Sequence, residues 1–196
     1  MLFIKKAAKE YLDRLKNDKV LKLFKRLIMN IFEVRKNIKS LYAYIRLNMF
    51  LYGLSACSKY DNEVKDILSY FPENVEVCVS VFHFNRYIIC KKENGVLEFK
   101  TKKNFFGSGA YAMFKSLDGA LPVLSSKESF SDAFNKSKIV LKGNTQIGKS
   151  FIKLLDIAQA YVASGIRRKK YLHNIQIDKK VVNKIKMSVF TRGWLW

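Results

Sequence analysis

The chain is 196 residues long and 49% hydrophobic, which supplies enough apolar side chains for the core of one domain with extensions. Its 37 Lys and Arg against 16 Asp and Glu give a formal charge of +21, which favours binding to polyanions such as nucleic acid or anionic lipid head groups. The first 50 residues carry a net charge of +9 and residues 166–196 carry +8, so two basic segments flank a nearly balanced centre.

The N-terminal segment has the pattern of helices. Apolar residues recur at three- and four-residue steps over 21–49, which predicts one long amphipathic helix, and a shorter helix over 4–15 precedes it. The basic faces of the long helix are compatible with exposure to solvent or with binding at a membrane interface. The apolar run 41–57 is interrupted by Arg46 and is shorter than the about 20 residues that a membrane span needs. We therefore predict a basic helical extension over 1–62.

The centre of the chain begins with a pattern of strands. Apolar and other residues alternate over 75–82, the signature of a strand with two different faces. A turn at Asn85-Arg86 would connect this strand to a second strand over 87–92. Asn94-Gly95, a strong hairpin signal, would connect the second strand to a third over 96–103. These three strands predict an antiparallel meander. The other predicted elements are helices over 63–71, 111–117, 126–134 and 151–163 and a strand over 138–142.

The three cysteines indicate a reducing compartment. Cys57, Cys78 and Cys90 show no CxxC spacing and lie within apolar runs, so we expect reduced, buried thiols. The first residues carry lysines where a secretion signal needs an apolar stretch. We predict a cytoplasmic protein, with peripheral binding to the inner face of a membrane as an extension of that prediction.

One motif indicates nucleotide binding. Residues 143–150 match GxxxxGK[ST] between a predicted strand and a predicted helix. In a phosphate-binding loop Gly143 and Gly148 would let the backbone wrap the phosphates, Lys149 would reach the β- and γ-phosphates, and Ser150 would bind Mg²⁺. Hairpin strands upstream and only 46 residues downstream do not suit the parallel sheet of such folds. The other interpretation is a simple strand-to-helix turn.

The same segment resembles another family. A short helix with Ala-Phe, a strand, Gly-Asn and then a helix rich in Leu and Lys is similar to the closing segment of the sterol carrier protein type 2 family. The upstream order of helix, antiparallel strands and a helical stretch is also similar, so the resemblance covers about 63–163. The residues that carry the motif are Ala133, Phe134, Ile139, Leu141, Gly143 and Asn144.

The resemblance implies an α+β fold in which a curved antiparallel sheet has helices on one side and encloses an apolar tunnel for sterols, acyl chains or isoprenoids. Dense aromatic residues in this region are typical of an ordinary core as well as of an apolar ligand site. The residues expected to line the tunnel are Val79, Val81, Phe84, Ile88, Phe99, Phe105, Phe106, Phe114, Phe130, Phe134, Ile147, Phe151, Leu154 and Leu155.

Catalytic and metal-binding patterns are otherwise missing from the sequence. His83 and His173 are the only histidines, lie far apart and have no metal-ligand spacing with cysteines or carboxylates. We therefore predict no catalytic residue, no metal and no cofactor apart from a lipid ligand; ATP or GTP with Mg²⁺ belongs only to the nucleotide alternative.

Three hypotheses follow. The first is a non-catalytic lipid-binding or lipid-transfer domain over 63–165, docked on anionic membrane by the basic extension and by a basic, aromatic-containing tail over 166–196. The alternative is an ATP- or GTP-binding protein that uses 143–150. The third is a nucleic-acid binder, because 167–171 places an aromatic residue beside four basic ones.

Overall fold

The computed structural model describes residues 19–82, 87–102, 109–175 and 177–193. The chain divides into two compact units, Met1–Leu41 and Tyr42–Trp196. The helices are α1 (Lys19–Tyr60), α2 (Asn62–Ser69), α3 (Leu117–Leu124), α4 (Phe130–Asn135), α5 (Thr145–Val162), α6 (Gly165–Tyr171) and α7 (Val182–Gly193). The strands are β1 (Glu76–Val81), β2 (Tyr87–Glu93), β3 (Val96–Lys102), β4 (Ala110–Phe114) and β5 (Ile139–Gly143).

The predicted long helix is confirmed as α1, which extends over 42 residues. The sequence predicts a break over 55–62, and the structure limits this break to Asp61. The helix continues to Tyr60 because Ser55, Cys57 and Ser58 are buried and the surrounding core stabilises this turn. The helix ends before Asp61, which adopts an extended backbone and accepts a hydrogen bond from the N–H of Val64 at 3.0 Å, so it caps α2. The shorter helix predicted over 4–15 lies outside the described residues.

The predicted meander is confirmed in the sheet, whose strand order is β3-β2-β1-β4-β5. β1 pairs with β2, and β2 with β3, in antiparallel fashion. Asn94 and Gly95 adopt φ values of +52° and +73°, as a two-residue hairpin turn requires. The turn expected at Asn85-Arg86 lies outside the described residues.

The fourth strand corrects two predictions. Residues 111–117 were expected to form a helix, but β4 occupies 110–114 and pairs with β1 in parallel. Short apolar runs do not distinguish strand from helix, and here the free edge of β1 supplies the pairing. The sheet is therefore mixed, with one parallel pair, rather than wholly antiparallel. The α+β class is confirmed.

The remaining elements follow the predicted order with shifted ends. Asp118 and Gly119, expected to close a helix, instead lie in the first turn of α3, where the Ser116 hydroxyl accepts from the N–H of Gly119 at 3.0 Å. α5 begins at Thr145 rather than at residue 151. In the tail, Leu172, Ile185 and Val189 are buried. The predicted boundaries at 62 and 165 remain predictions.

Candidate functional site

One face of the sheet is apolar across its strands. The register places Val79 opposite Ile88 on β2 and Ala112 on β4, and Leu141 on β5 continues the row. Paired positions point to the same face of a sheet. All four side chains belong to one hydrophobic cluster that also contains residues of the helices. The helices of this cluster therefore lie on one side of the sheet, as predicted.

Two helices cover different halves of this face. The Tyr52 ring of α1 lies edge-on against Phe99 of β3, with ring centroids 4.5 Å apart. On the other half, α5 approaches β5 so closely that a Cβ on Gly148 would lie 3.1 Å from the Leu141 side chain. We call the apolar space between the sheet, α1 and α5 the apolar layer.

Three phenylalanines occupy the centre of the apolar layer. Phe130 of α4 lies edge-on to Phe50 of α1, with centroids 5.8 Å apart and an interplanar angle of 84°. It also lies 5.9 Å from the ring of Phe114 on β4. All three side chains are at most 1% exposed. Aromatic contacts among α1, β4 and α4 therefore stabilise the layer.

Most residues predicted to line a tunnel lie in this layer. Those buried in the cluster are Val79, Val81, Ile88, Phe114, Phe130, Phe151, Leu154 and Leu155, and those half-buried against it are Phe99, Phe134 and Ile147. The other three, Phe84, Phe105 and Phe106, lie outside the described residues. The sequence thus predicted which side chains come together, and their binding of a ligand remains a prediction.

The surface of the described part of the chain includes two grooves of note. The larger, of about 460 Å³, lies between the end of α1, α2 and the β2–β3 turn. The smaller, of about 280 Å³, lies on the charged outer face of β1, β2 and β3. None of the eleven predicted tunnel residues that the structure describes lines either groove.

The predicted phosphate-binding segment is a strand-to-helix junction. Gly143 ends β5 with φ +79°, and its Cα lies so close to the carbonyl of Gly109, the residue before β4, that a Cβ would clash. α5 already begins at Thr145, so Gly148, Lys149 and Ser150 are helical, and Lys149 is exposed. Because the second glycine is inside a helix, the segment cannot wrap a phosphate in the way the motif requires.

The amide donors at this junction already have a partner. The Asn144 side chain accepts hydrogen bonds from the N–H groups of Gln146 and Ile147, each at 3.1 Å. A phosphate-binding loop would direct such donors at the nucleotide. Moreover, β5 is an edge strand antiparallel to β4. The structure therefore does not support the nucleotide alternative.

A buried carboxylate connects α5 to α4. Asp156 accepts hydrogen bonds from the N–H of Phe130 at 2.6 Å and from the N–H and hydroxyl of Ser131. Burial raises the pKa of Asp156 to about 6, although these hydrogen bonds act in the opposite direction. The sequence did not indicate that Asp156 binds the start of α4, because a single polar residue in an otherwise apolar helix gives no sign of its partner.

Two arginines, whose meeting the sequence analysis did not predict, converge on the end of α3. Arg46 of α1 donates from Nε to the carbonyl of Leu124, and Arg167 of α6 donates from Nη1 to the carbonyl of Ser125, both at 2.8 Å. Gln159 of α5 donates to the carbonyl before Leu124 at 2.7 Å. The one available signal was a charge at position 46 within the most apolar run of the sequence.

The described residues contain no group of three His, Cys, Asp or Glu side chains arranged to hold a metal ion. Within the same residues, no helix has the length and apolar character needed to cross a membrane.

Cys57, Cys78 and Cys90 are buried free thiols, as the sequence predicted. Burial raises the pKa of Cys78 to about 12 and raises those of Cys57 and Cys90 still further. We expect native protein at neutral pH to react with a thiol reagent at least about tenfold more slowly than urea-unfolded protein. A colorimetric thiol assay measures both rates, and fast labelling of the native form would contradict this burial.

Comparisons with known proteins found no matching family model and no matching curated protein. Several chains of solved structures are similar to this chain, among them the following two. One is described as "UbiJ-SCP2 Ubiquinone synthesis protein", with 20% identity over 64% of this chain and 91% of that chain and a TM-score of 0.39. The other is sterol carrier protein 2 like 2 (SCP2-L2) from Aedes aegypti, with 11% identity over 50% of this chain and 94% of that chain and a TM-score of 0.31.

Proposed function

We propose that this chain is a non-catalytic lipid-binding or lipid-transfer protein. Its ligand, of sterol, acyl or isoprenoid type, occupies the apolar layer, and its basic segments dock the protein on anionic membrane. In this proposal residues 63–165 form the ligand-binding domain, while 1–62 and 166–196 are the basic extension and tail.

The observation that carries the proposal is the gathering of eleven predicted tunnel residues, from strands and helices, in one hydrophobic cluster. Ligand sites for apolar molecules are built from such residues with few polar groups. The resemblance to the sterol carrier protein type 2 family adds support, because α4, β5, Asn144 and α5 succeed one another in the order that it implies.

Membrane docking is supported by the distribution of charge. Each Lys or Arg close to an anionic membrane contributes about 1 kcal/mol to binding. The last turn of α6 alone presents Arg168, Lys169 and Lys170. The net charge of +21 acts in the same direction.

Native mass spectrometry of the full chain, purified without detergent, tests ligand binding. We expect lipid to co-purify, or a fluorescent fatty acid to bind after delipidation. Absence of both from folded protein contradicts the proposed function. Retention on RNA that weakens steeply with salt, without binding to anionic vesicles, would instead favour the nucleic-acid hypothesis.

A matched pair of variants on β4 tests whether the apolar layer is the site. Ala112 faces the layer, and its neighbour Met113 points to the opposite face of the sheet. Ala112→Leu adds volume where the ligand would lie, so we expect fatty-acid affinity to fall about tenfold. Met113→Leu should leave the affinity unchanged within about twofold. Equal effects of the two substitutions, in variants with wild-type circular dichroism, would place the ligand elsewhere.

A further inference from the structure

Two arginine side chains meet at the C-terminal end of α3. The carbonyls that bind them belong to Leu124 and Ser125, which are consecutive in the chain. Successive carbonyls hold the guanidinium groups of Arg46 and Arg167 beside each other, although the two arginines come from different helices. We call Arg46 and Arg167 the arginine pair.

The arginine pair lacks a carboxylate counter-charge among the described residues. Arg46 is half-buried, and its guanidinium carbon lies 5.1 Å from the centroid of the Phe50 ring in a cation–π contact. Its remaining contacts are long ones, to the Met49 sulfur at 3.8 Å and the Ser126 hydroxyl at 3.5 Å. Burial lowers the pKa of Arg46, the charge of Arg167 lowers it further, and Tyr42 raises it. Two like charges held together favour an anion that can bind both.

The surroundings of the arginine pair identify the source of that anion. Tyr42, one turn before Arg46 on α1, is 41% exposed, and Ile166, directly before Arg167, is 82% exposed. An exposed isoleucine beside a cation that has no carboxylate partner among the described residues suits a membrane surface, where apolar side chains enter the head-group region and cations meet phosphates. A freely soluble phosphate would gain nothing from these apolar side chains.

We propose that the arginine pair binds the phosphate group of an anionic membrane lipid. Guanidinium groups suit this ligand because their planar forks bind phosphate oxygens in bidentate fashion. The negative end of α3 accepts one hydrogen bond from each guanidinium group and so fixes both of them. The lipid phosphate would bind the other N–H groups of Arg167 and would replace the long contacts that Arg46 makes to Met49 and Ser126. The inference deepens the proposed function, on which it rests, by assigning the docking of the carrier to a specific site.

Sedimentation of the full chain with phosphatidylcholine vesicles, with and without phosphatidylglycerol, tests the site. Arg167 is exposed, so Arg167→Gln should fold normally and lose at least about tenfold in affinity for the anionic vesicles. Lys169→Gln removes the same charge from the same helix and should lose no more than about fivefold. Arg167→Lys keeps the positive charge but lacks the planar guanidinium group, so its affinity for the anionic vesicles should be nearly as low as that of Arg167→Gln.

Equal losses in Arg167→Gln and Lys169→Gln would overturn the site, because general charge would then explain binding. A second experiment measures the melting temperature with and without inorganic phosphate. If phosphate raises the melting temperature of wild type but not of Arg167→Gln, and vesicle binding is equal in both, the ligand is soluble phosphate and the lipid assignment is wrong.

Binding of a fluorescent fatty acid without vesicles separates this inference from the proposed function. Arg167→Gln should bind the fatty acid as wild type does. If wild type binds no fatty acid, the carrier function fails, whereas the difference between Arg167→Gln and Lys169→Gln on vesicles still decides the phosphate site.

Discussion

Phe130→Ala is expected to lower the free energy of unfolding by about 3–5 kcal/mol. The ring is fully buried and contacts Phe50 and Phe114, so its removal leaves a cavity where α1, β4 and α4 meet. The surrounding backbone cannot collapse readily, because it belongs to regular elements on three sides. Urea unfolding followed by circular dichroism measures the change.

Tyr70→Ala is the control for this substitution. Tyr70 is also aromatic but is 86% exposed, so its truncation should change the free energy of unfolding by less than about 0.5 kcal/mol. A similar small change for Phe130→Ala would contradict the central position of this ring in the apolar layer.

The second large effect is expected for Asp156→Ala, at about 3 kcal/mol of lost stability. The substitution removes the acceptor for the N–H groups of Phe130 and Ser131 and leaves these donors without a partner at the start of α4. Asp132→Ala is the control, because Asp132 lies in the first turn of the same helix but is exposed. Equal losses in thermal or urea unfolding would show that the buried carboxylate does not cap α4.

The same residue makes stability depend on pH. Burial raises the pKa of Asp156 from its ordinary value of 3.8 to about 6, so the folded state binds the proton more tightly than the unfolded state. Its contribution to stability is therefore fully present below about pH 4 and is lost as pH rises to about 6. Asp156→Asn, which does not titrate, is the reference for this comparison.

Urea unfolding of wild type and Asp156→Asn from pH 4 to pH 7 measures this difference. The free energy of unfolding of wild type, relative to that of Asp156→Asn, should be highest at pH 4 and should fall as the pH rises to about 6. A difference that stays constant over this window would mean that Asp156 does not titrate there.

The sequence predicted elements whose signals are local. The period-two pattern and Asn94-Gly95 specify the β1–β3 meander, because strand alternation and turn geometry depend on neighbouring residues. Helical periodicity likewise predicted α1, although its end near Tyr60 is set by a cap at Asp61 and by burial in the core.

The fourth strand shows where local signals fail. Residues 110–114 are compatible with helix or strand, and only pairing with the free edge of β1 selects the strand. The same limit applies to the match at 143–150. An eight-residue match cannot specify whether backbone amides face a phosphate, and here the Asn144 side chain accepts hydrogen bonds from those amides and caps α5.

The sequence by itself determined the α+β class, the long basic helix and the apolar side chains that form one layer, because periodicity and hydrophobicity are properties of the residues. Only the tertiary structure decided the parallel pairing of β1 with β4, the junction at Gly143 and the meeting of Arg46 with Arg167. These features join residues far apart in sequence, whose contacts depend on how the complete core packs.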